Sequence, residues 1–401
     1  MVRTPDFDVV VAGGGPVGLC VAFLAAERGL SVGLFESDAS LTRDLRASTF
    51  HPPTLDMLAQ FGISDELVAR GLACPHWQIR RHPSGERAVF DLSVLAADTR
   101  YPFRLQCEQW KLSEALLARV AHQPDVTVRY GAGVSGFTQT EDGVTVLLDN
   151  GADSETVSAR ILVGADGARS IVRKELGLLF DGETYPETTL LVTTDFPFED
   201  HLDALSNVSY CWTDGGNFSL LKVPGRWRVS IYPREDVDID SQLTDVAIEQ
   251  SLQTIVAKSG AYHVLEKRAY RVHQRIVPTY HLGRVALAGD AAHLNSPAGG
   301  MGLNGGIHDA FELVEAIADI LLKKQPLERL DLYDRRRRPI ARDQILAQAD
   351  RNRARMREKI PEKRRELLSE LQAITADRDR LRAHLLMSSM ISGLREAAAI
   401  T

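Results

Sequence analysis

Long apolar runs, paired cysteines and surplus positive charge are all missing from this 401-residue chain. The four cysteines, Cys20, Cys74, Cys107 and Cys211, lie far apart and form no C-x-x-C pair. That argues against a disulfide framework or a zinc site, so no metal is expected, and for reduced thiols in a cytoplasmic protein. The formal net charge is −7, with a pI near 5.9, which argues against a nucleic-acid binder. The longest apolar stretch, 9–26, is broken by glycines and Pro16, and no membrane span is needed to explain it. Asp6 and Asp8 precede it without a basic segment, so no signal peptide is expected. An apolar fraction of 44% with 25% charged residues is ordinary for a globular chain of one large or two intimate domains.

What is present is concentrated in residues 7–36. An apolar run at 9–11 reads as a buried parallel strand. Gly13, Gly15 and Gly18 follow in the order G-x-G-x-x-G, enclosing Pro16 and Val17. Residues 19–27 have helical composition, Gly29 suits a helix C-terminus, and a second strand, 32–35, ends in Glu36. In such a unit the first glycine permits the tight turn. The second lets backbone approach a pyrophosphate, and the third lets helix and strand pack closely. The helix N-terminus offers unpaired N–H groups to the phosphates, and Glu36 stands where a carboxylate can hold a ribose. The pattern predicts a dinucleotide site without distinguishing NAD(P) from FAD.

Farther along, Pro52 and Pro53 open a predicted helix over 54–61, with Arg46 in the loop before it. Residues 76–93 read as a hairpin and begin a second region. A helix is expected over 109–120, then strands at 126–130, 134–140 and 144–148. Residues 161–163 read as a strand ending in a tight turn, Gly164-Ala165-Asp166-Gly167, before a helix at 170–176. Residues 185–272 read as antiparallel sheet rich in aromatics (Tyr210, Trp212, Phe218, Trp227, Tyr232), with a helix at 245–258; this sheet is expected to cover a ligand. Strand 285–288 ends sharply at Gly289-Asp290, and a loop with Pro297, Gly299, Gly300 and Gly302 leads into a helix at 305–322. A glycine-rich loop in a compact domain usually approaches a ligand closely. The tail from 344 is helical, and the basic run 335–338 is read as a solvated helix face. Residues 385–394 are apolar enough to pack on the body or on a second subunit, so a homodimer is considered.

Together the three motifs, Gly13–Gly18 with Glu36, Gly164–Gly167, and Gly289-Asp290 with Pro297 and Gly302-Leu303-Asn304, resemble the single-component flavoprotein aromatic hydroxylases, the para-hydroxybenzoate hydroxylase family. Their order spans residues 5–320. The resemblance implies an α/β fold: a Rossmann-like, glutathione-reductase-type FAD-binding domain (1–75, 100–180, 273–345), an inserted antiparallel β-sheet substrate domain (76–99, 181–272) and a C-terminal helical region (346–401). It implies FAD as cofactor. Gly13, Gly15, Pro16, Val17, Gly18 and Glu36 would take the ADP part, Arg46 and Gln109 (with Gln106 as alternative) the phosphate and ribityl side, and Asp290 the ribityl chain. Pro297, Gly300, Gly302, Leu303 and Asn304 would meet the isoalloxazine, and Asp166 would serve FAD holding and use of the nicotinamide cofactor. The implied reaction uses NADH or NADPH and O₂ to hydroxylate a small activated aromatic or N-heteroaromatic substrate through a flavin C4a-hydroperoxide. No separate NAD(P)H domain is visible. Tyr210, Tyr232 and His51 are the candidates for substrate activation, with Pro297 beside the reacting ring. The alternatives are a flavin halogenase or reductase on the same scaffold, for which the W-x-W-x-I-P signature is absent, and a non-catalytic flavin-binding assembly protein.

Overall fold

A computed structural model describes residues 5–43, 47–151, 154–232 and 237–401. Its first sheet is built from the apolar runs. Phe7–Ala12 lies centrally, with Val32–Glu36 and then Val126–Tyr130 parallel on one side, and Ser154–Gly164 and then Val285–Leu287 parallel on the other. Continuous burial of Val9, Val10 and Val11 fits a strand covered on both faces. The helix Pro16–Glu27 covers one face and ends as expected, with Gly29 at φ +77° and its N–H donating to the Ala26 carbonyl at 2.8 Å. The helix Gly302–Leu321 packs against it. It starts three residues earlier than the sequence suggested, because Gly302 joins its first turn.

A second sheet stands beside the first, in the order His293–Leu294, Val264–Ile276, Asp181–Thr194, Arg226–Ile231, Gly216–Val223, Val208–Thr213, His76–Arg81, Arg87–Asp91. It departs from expectation twice. Val264–Ile276 is a long strand paired along Asp181–Thr194, hidden in the sequence because its alternation is of half-buried and charged residues. The expected all-antiparallel pairing is also broken: Val208–Thr213 runs parallel to His76–Arg81, joining the early hairpin to the later strands. One face of this sheet buries Phe218, Trp227 and Val229 against the helix Asp245–Ile255. The other meets the C-terminal helices through Trp77, Phe90, Trp212, Met356 and Leu385.

The tail forms the helices Ala347–Arg357, Pro361–Ala376, Arg378–Ser388 and Ile391–Ala398. Leu385, Met390 and Ile391 are buried on the body of the same chain. Reading 335–338 as a solvated face is incorrect. Arg337 is 1% exposed, and its Nε donates to Asp309 at 2.8 Å. A carboxylate buried on the facing helix draws one arginine of the run inward, while Arg336 and Arg338 pair with Glu312 and Asp334. No helix among the described residues is long and apolar enough to cross a membrane.

Candidate active site

The three glycine bends, distant in sequence, meet at the C-terminal ends of the parallel strands. Gly13, at φ +104°, lies so close to the second bend that a Cβ there would sit 2.5 Å from the Ala165 carbonyl oxygen and 2.9 Å from Asp166 Cα. Ala165 N–H donates to the Ala12 carbonyl at 2.9 Å. The third bend touches the first through Val17: a Cβ on Gly289 (φ +59°) would fall 2.9 Å from Val17 Cγ2, and one on Gly306 2.6 Å from the same atom. Gly18 packs helix on strand, because its Cβ would lie 2.0 Å from the Gly13 carbonyl oxygen.

Gly15 is different. It has φ −73°, and a Cβ added there would meet nothing within 4 Å, so neither backbone nor packing within the protein demands glycine. An unfilled approach to a helix N-terminus suits a pyrophosphate. Glu36 closes this end: its carboxylate accepts from Gly14 N–H at 2.6 Å and from Asp38 N–H at 2.8 Å. Asp166 accepts from Ile171 and Val172 N–H through Oδ2, at 2.7 and 3.2 Å. Its Oδ1 is buried with no hydrogen-bond partner in the protein. Burial pushes the Asp166 pKa up, opposed by the N–H groups it accepts from. Asp290 is exposed in the turn Gly289–Ala291 that follows Val285–Leu287. An open glycine cradle, a carboxylate at the second strand's end and an exposed carboxylate at the third bend together fit a dinucleotide with a polar linker.

The glycine-rich loop is held from behind. Asn304 is fully buried. Its amide donates to the Thr49 and Gly300 carbonyls at 2.9 and 2.7 Å, and its Oδ1 accepts from His51 N–H at 2.8 Å. The Asn304 side chain is therefore spent on bracing the loop. His51 Nε2 donates to the Gly299 carbonyl at 2.8 Å, and burial, with the nearby Arg104 charge, lowers its pKa to about 3. His51 is fully buried behind the loop and is not among the residues lining the cavity described below, so the expectation of direct substrate contact is corrected to one of bracing through Nε2, while its Nδ1 is buried with no hydrogen-bond partner in the protein. Beneath the loop, Asp309 accepts from Gly289 N–H (3.1 Å), His293 Nε2 (2.8 Å) and Arg337 Nε (2.8 Å). Burial opposes its ionisation, but the Arg337 guanidinium and the hydrogen bonds it accepts hold the Asp309 carboxyl well below the usual range. Gln109 opens its helix, its N–H donating to the Ala47 carbonyl at 2.9 Å, while Gln106 is buried on Thr49, to which its amide donates at 3.0 Å. Arg46 lies outside the described residues.

On the far side of residues 296–299 is a cavity of about 400 Å³, within the range of small-molecule sites. The second sheet supplies Tyr210 and Tyr232, the loop supplies Pro297, and the tail helices supply Asn352 and His384. Tyr232 lines the cavity while 36% of its surface stays exposed. The Asn352 amide donates to the Ala298 carbonyl at 3.4 Å, so the tail leans on the loop. Arg104, Asn352 and His384 escaped sequence reasoning. For Arg104 a signal existed, a charge inside the short apolar stretch 101–107; for the tail residues there was none.

A fold of two large sheets and one small one, with a glycine cradle at the strand ends and a cavity behind its last loop, defines a nucleotide-cofactor enzyme acting on a small molecule. The chain matches the family model described as FAD binding domain over residues 6–348. It is 32% identical over 395 residues, 96% of each chain, to para-nitrophenol 4-monooxygenase of Pseudomonas sp. (strain WBC-3). It is 31% identical over 376 residues to 6-hydroxy-3-succinoylpyridine 3-monooxygenase of Pseudomonas putida, covering 93% of this chain and 95% of that one. The crystal structure of p-nitrophenol 4-monooxygenase from Pseudomonas putida DLL-E4 superposes with a TM-score of 0.89 at 31% identity, covering 96% of this chain and 98% of the other. The chain belongs to the FAD-dependent flavoprotein aromatic hydroxylases.

Proposed function

We propose that this chain uses NADH or NADPH and O₂ to hydroxylate a small phenolic or hydroxylated N-heteroaromatic compound in the 400 Å³ cavity. One observation carries the reading: the loop at residues 296–304 is shared, its Pro297–Gly299 part lining the cavity and its Gly300–Asn304 part continuing into the helix beside the three bends. A cofactor held by the bends would therefore present one end to a cavity occupant.

In this reading Gly13, Gly15, Pro16, Val17 and Gly18 hold the pyrophosphate of FAD, Glu36 its adenosine ribose, and Arg46 and Gln109 its phosphate and ribityl side. Asp290 takes the ribityl chain, and Asp166 offers Oδ1 near the first bend. Gly302, Leu303 and Asn304, at the start of the helix where backbone N–H groups have no helical partner, would hold the isoalloxazine end, and a helix N-terminus there would favour negative charge on the bound group. FAD bound there supplies what side chains cannot, hydride acceptance and activation of O₂. The chain's own residues orient the substrate and exclude water. Tyr210 and Tyr232 offer hydroxyls to a substrate oxygen, Pro297 sets the distance of the ring from the loop, and the tail helices close the cavity against solvent. His51 and Asn304 fix the loop so that these distances are kept.

The relatives' names direct the choice of test compounds. Purified protein should be yellow, and phenols and hydroxypyridines should be screened for stimulated NAD(P)H oxidation, with hydroxylated product and H₂O₂ measured in parallel. Accelerated oxidation with oxygen in the product is the expected result. Colourless protein that takes up no FAD, or oxidation that ends only in H₂O₂ with every compound, would contradict the reading.

A further inference from the structure

The cavity has a seam. One side is the turn between the strands Val208–Thr213 and Gly216–Val223. The other is the junction 358–360, where the tail passes from the helix Ala347–Arg357 to the helix Pro361–Ala376. Gly215 and Gly216 line the cavity from the first side, Arg357 and Lys359 from the second. Gly215 and Lys359 are also exposed, so the cavity reaches solvent here.

Side chains hold the seam shut by donating to backbone carbonyls. Arg364, only 5% exposed, donates from Nε to the Glu358 carbonyl, from Nη1 to the Thr213 carbonyl and from Nη2 to the Gly216 carbonyl at 3.0 Å. One planar guanidinium therefore ties the junction to both ends of the turn. Its charge strengthens each of these hydrogen bonds. Trp212 Nε1 and Asn217 Nδ2 add bonds to the Arg355 and Met356 carbonyls at 3.2 and 2.9 Å. The flanks of the junction are anchored elsewhere. Before it, the Tyr185 hydroxyl donates to Asp350 at 2.9 Å. After it, Leu368, Leu371 and Leu385 are buried in one cluster with Trp77 and Phe90. Lys359 and Ile360, between these anchors, are exposed. Local opening costs least where little is buried, at the junction and the turn facing it. The turn's two glycines point the same way. Neither has a left-handed φ, and a Cβ on either would meet nothing within 4 Å. The fold does not demand glycine there, whereas a passage is served by bare, pliant backbone.

We propose that this seam is the substrate's way into the cavity and that Arg364 is the clasp that closes it. This deepens the functional reading above and rests on it for what passes, a small flat aromatic compound. Opening releases the Thr213 and Gly216 carbonyls from the guanidinium and parts the turn from the junction. Closing restores those bonds and keeps water from the occupied cavity.

The test places a thiol inside the cavity and times its capture. Val272 lines the cavity and is 7% exposed, and the four native cysteines are all buried. Flavin-loaded Val272→Cys protein is mixed with 4,4′-dithiodipyridine, a neutral aromatic disulfide that transfers one pyridylthio group to a thiol and releases an absorbing thione. Where opening is fast, the labelling rate follows the population of the open form. The expected result is slow labelling of one thiol per chain. Arg364→Met in that background should speed it roughly tenfold or more, since bonds from a charged donor no longer favour the closed form. Gly215→Trp should remove most of the rate by plugging the turn. Equal rates in all three proteins would place the route elsewhere, as at the exposed Tyr232, and overturn the proposal. So would a thiol that never labels, or a rate that Gly215→Trp leaves unchanged. Native cysteines reacting together with the new one in Arg364→Met would show a loosened fold in place of an opened seam, and overturn the clasp. Should Arg364→Met fail to fold, Gly215→Trp decides alone. Labelling needs no turnover, so failure here leaves the functional reading standing, whereas protein that never takes up FAD contradicts that reading.

Discussion

The cradle and the cavity share a loop but are built on different terms. The cradle is made of backbone: glycine positions set by how closely strand, turn and helix approach, as where a Cβ on Gly18 would fall 2.0 Å from the Gly13 carbonyl oxygen. The cavity is made of side chains from three remote parts of the chain, namely Tyr210 and Tyr232, Arg104, and His384 of the tail. A cofactor common to many reactions calls for a fixed backbone cradle, whereas a substrate calls for walls that differ from one enzyme to the next.

Breaking the support that both regions lean on should have the largest effect. Asp309→Ala would leave Arg337 buried without its carboxylate and free the Gly289 N–H and His293. A destabilisation of about 3–5 kcal/mol is expected, measured by urea unfolding; a loss below about 1 kcal/mol would mean the network is not structural. Next comes the cradle's own geometry. Gly18→Ala must force the helix Pro16–Glu27 off its strand, at a cost of about 1–3 kcal/mol or more to the flavin-free protein. Unchanged stability there would show that the close approach is not needed.

The smallest effect separates the brace from the cavity. His51 keeps its pKa near 3 in the fold against an ordinary 6.5. Between those values the unfolded chain takes up a proton that the folded protein refuses, so stability falls as pH drops from 6.5 toward 3. The slope is about 1.4 kcal/mol per pH unit, or roughly 2 kcal/mol by pH 5. His51→Gln should remove that share, so the difference in unfolding free energy between wild type and variant should shrink from pH 7.5 to pH 5. A difference that stays constant would contradict the buried neutral imidazole.

What was legible in the sequence follows the same division. The bends could be read because glycine spacing records local geometry: Gly13, Gly18 and Gly289 stand where their neighbours leave no room for a Cβ. The helix Gln109–Val120 could be read because its apolar positions repeat at helical spacing. The strand Val264–Ile276 could not, since the half-buried Arg268 and Arg275 among exposed Lys267 and Arg271 mask its alternation. Nor could the inward turn of Arg337, which depends on a carboxylate 28 residues away in sequence. His51 looked like a reactive group and proves to be a brace, because its partner, Gly299, is 248 residues away. The cavity's cationic lining was hidden for the same reason, since five of its six cations, Arg353, Arg355, Arg357, Lys359 and Arg364, come from the tail, where charges look solvated one at a time.

The central claim is that the convergent bends hold FAD through an approach left open at Gly15. The most direct measurement is FAD affinity and flavin-free stability of Gly15→Leu, taken together. With nothing within 4 Å of that position, the account predicts an unfolding midpoint close to wild type and FAD binding weaker by roughly 100-fold or more. A Gly15→Leu protein that folds normally and binds FAD as tightly as wild type would contradict it.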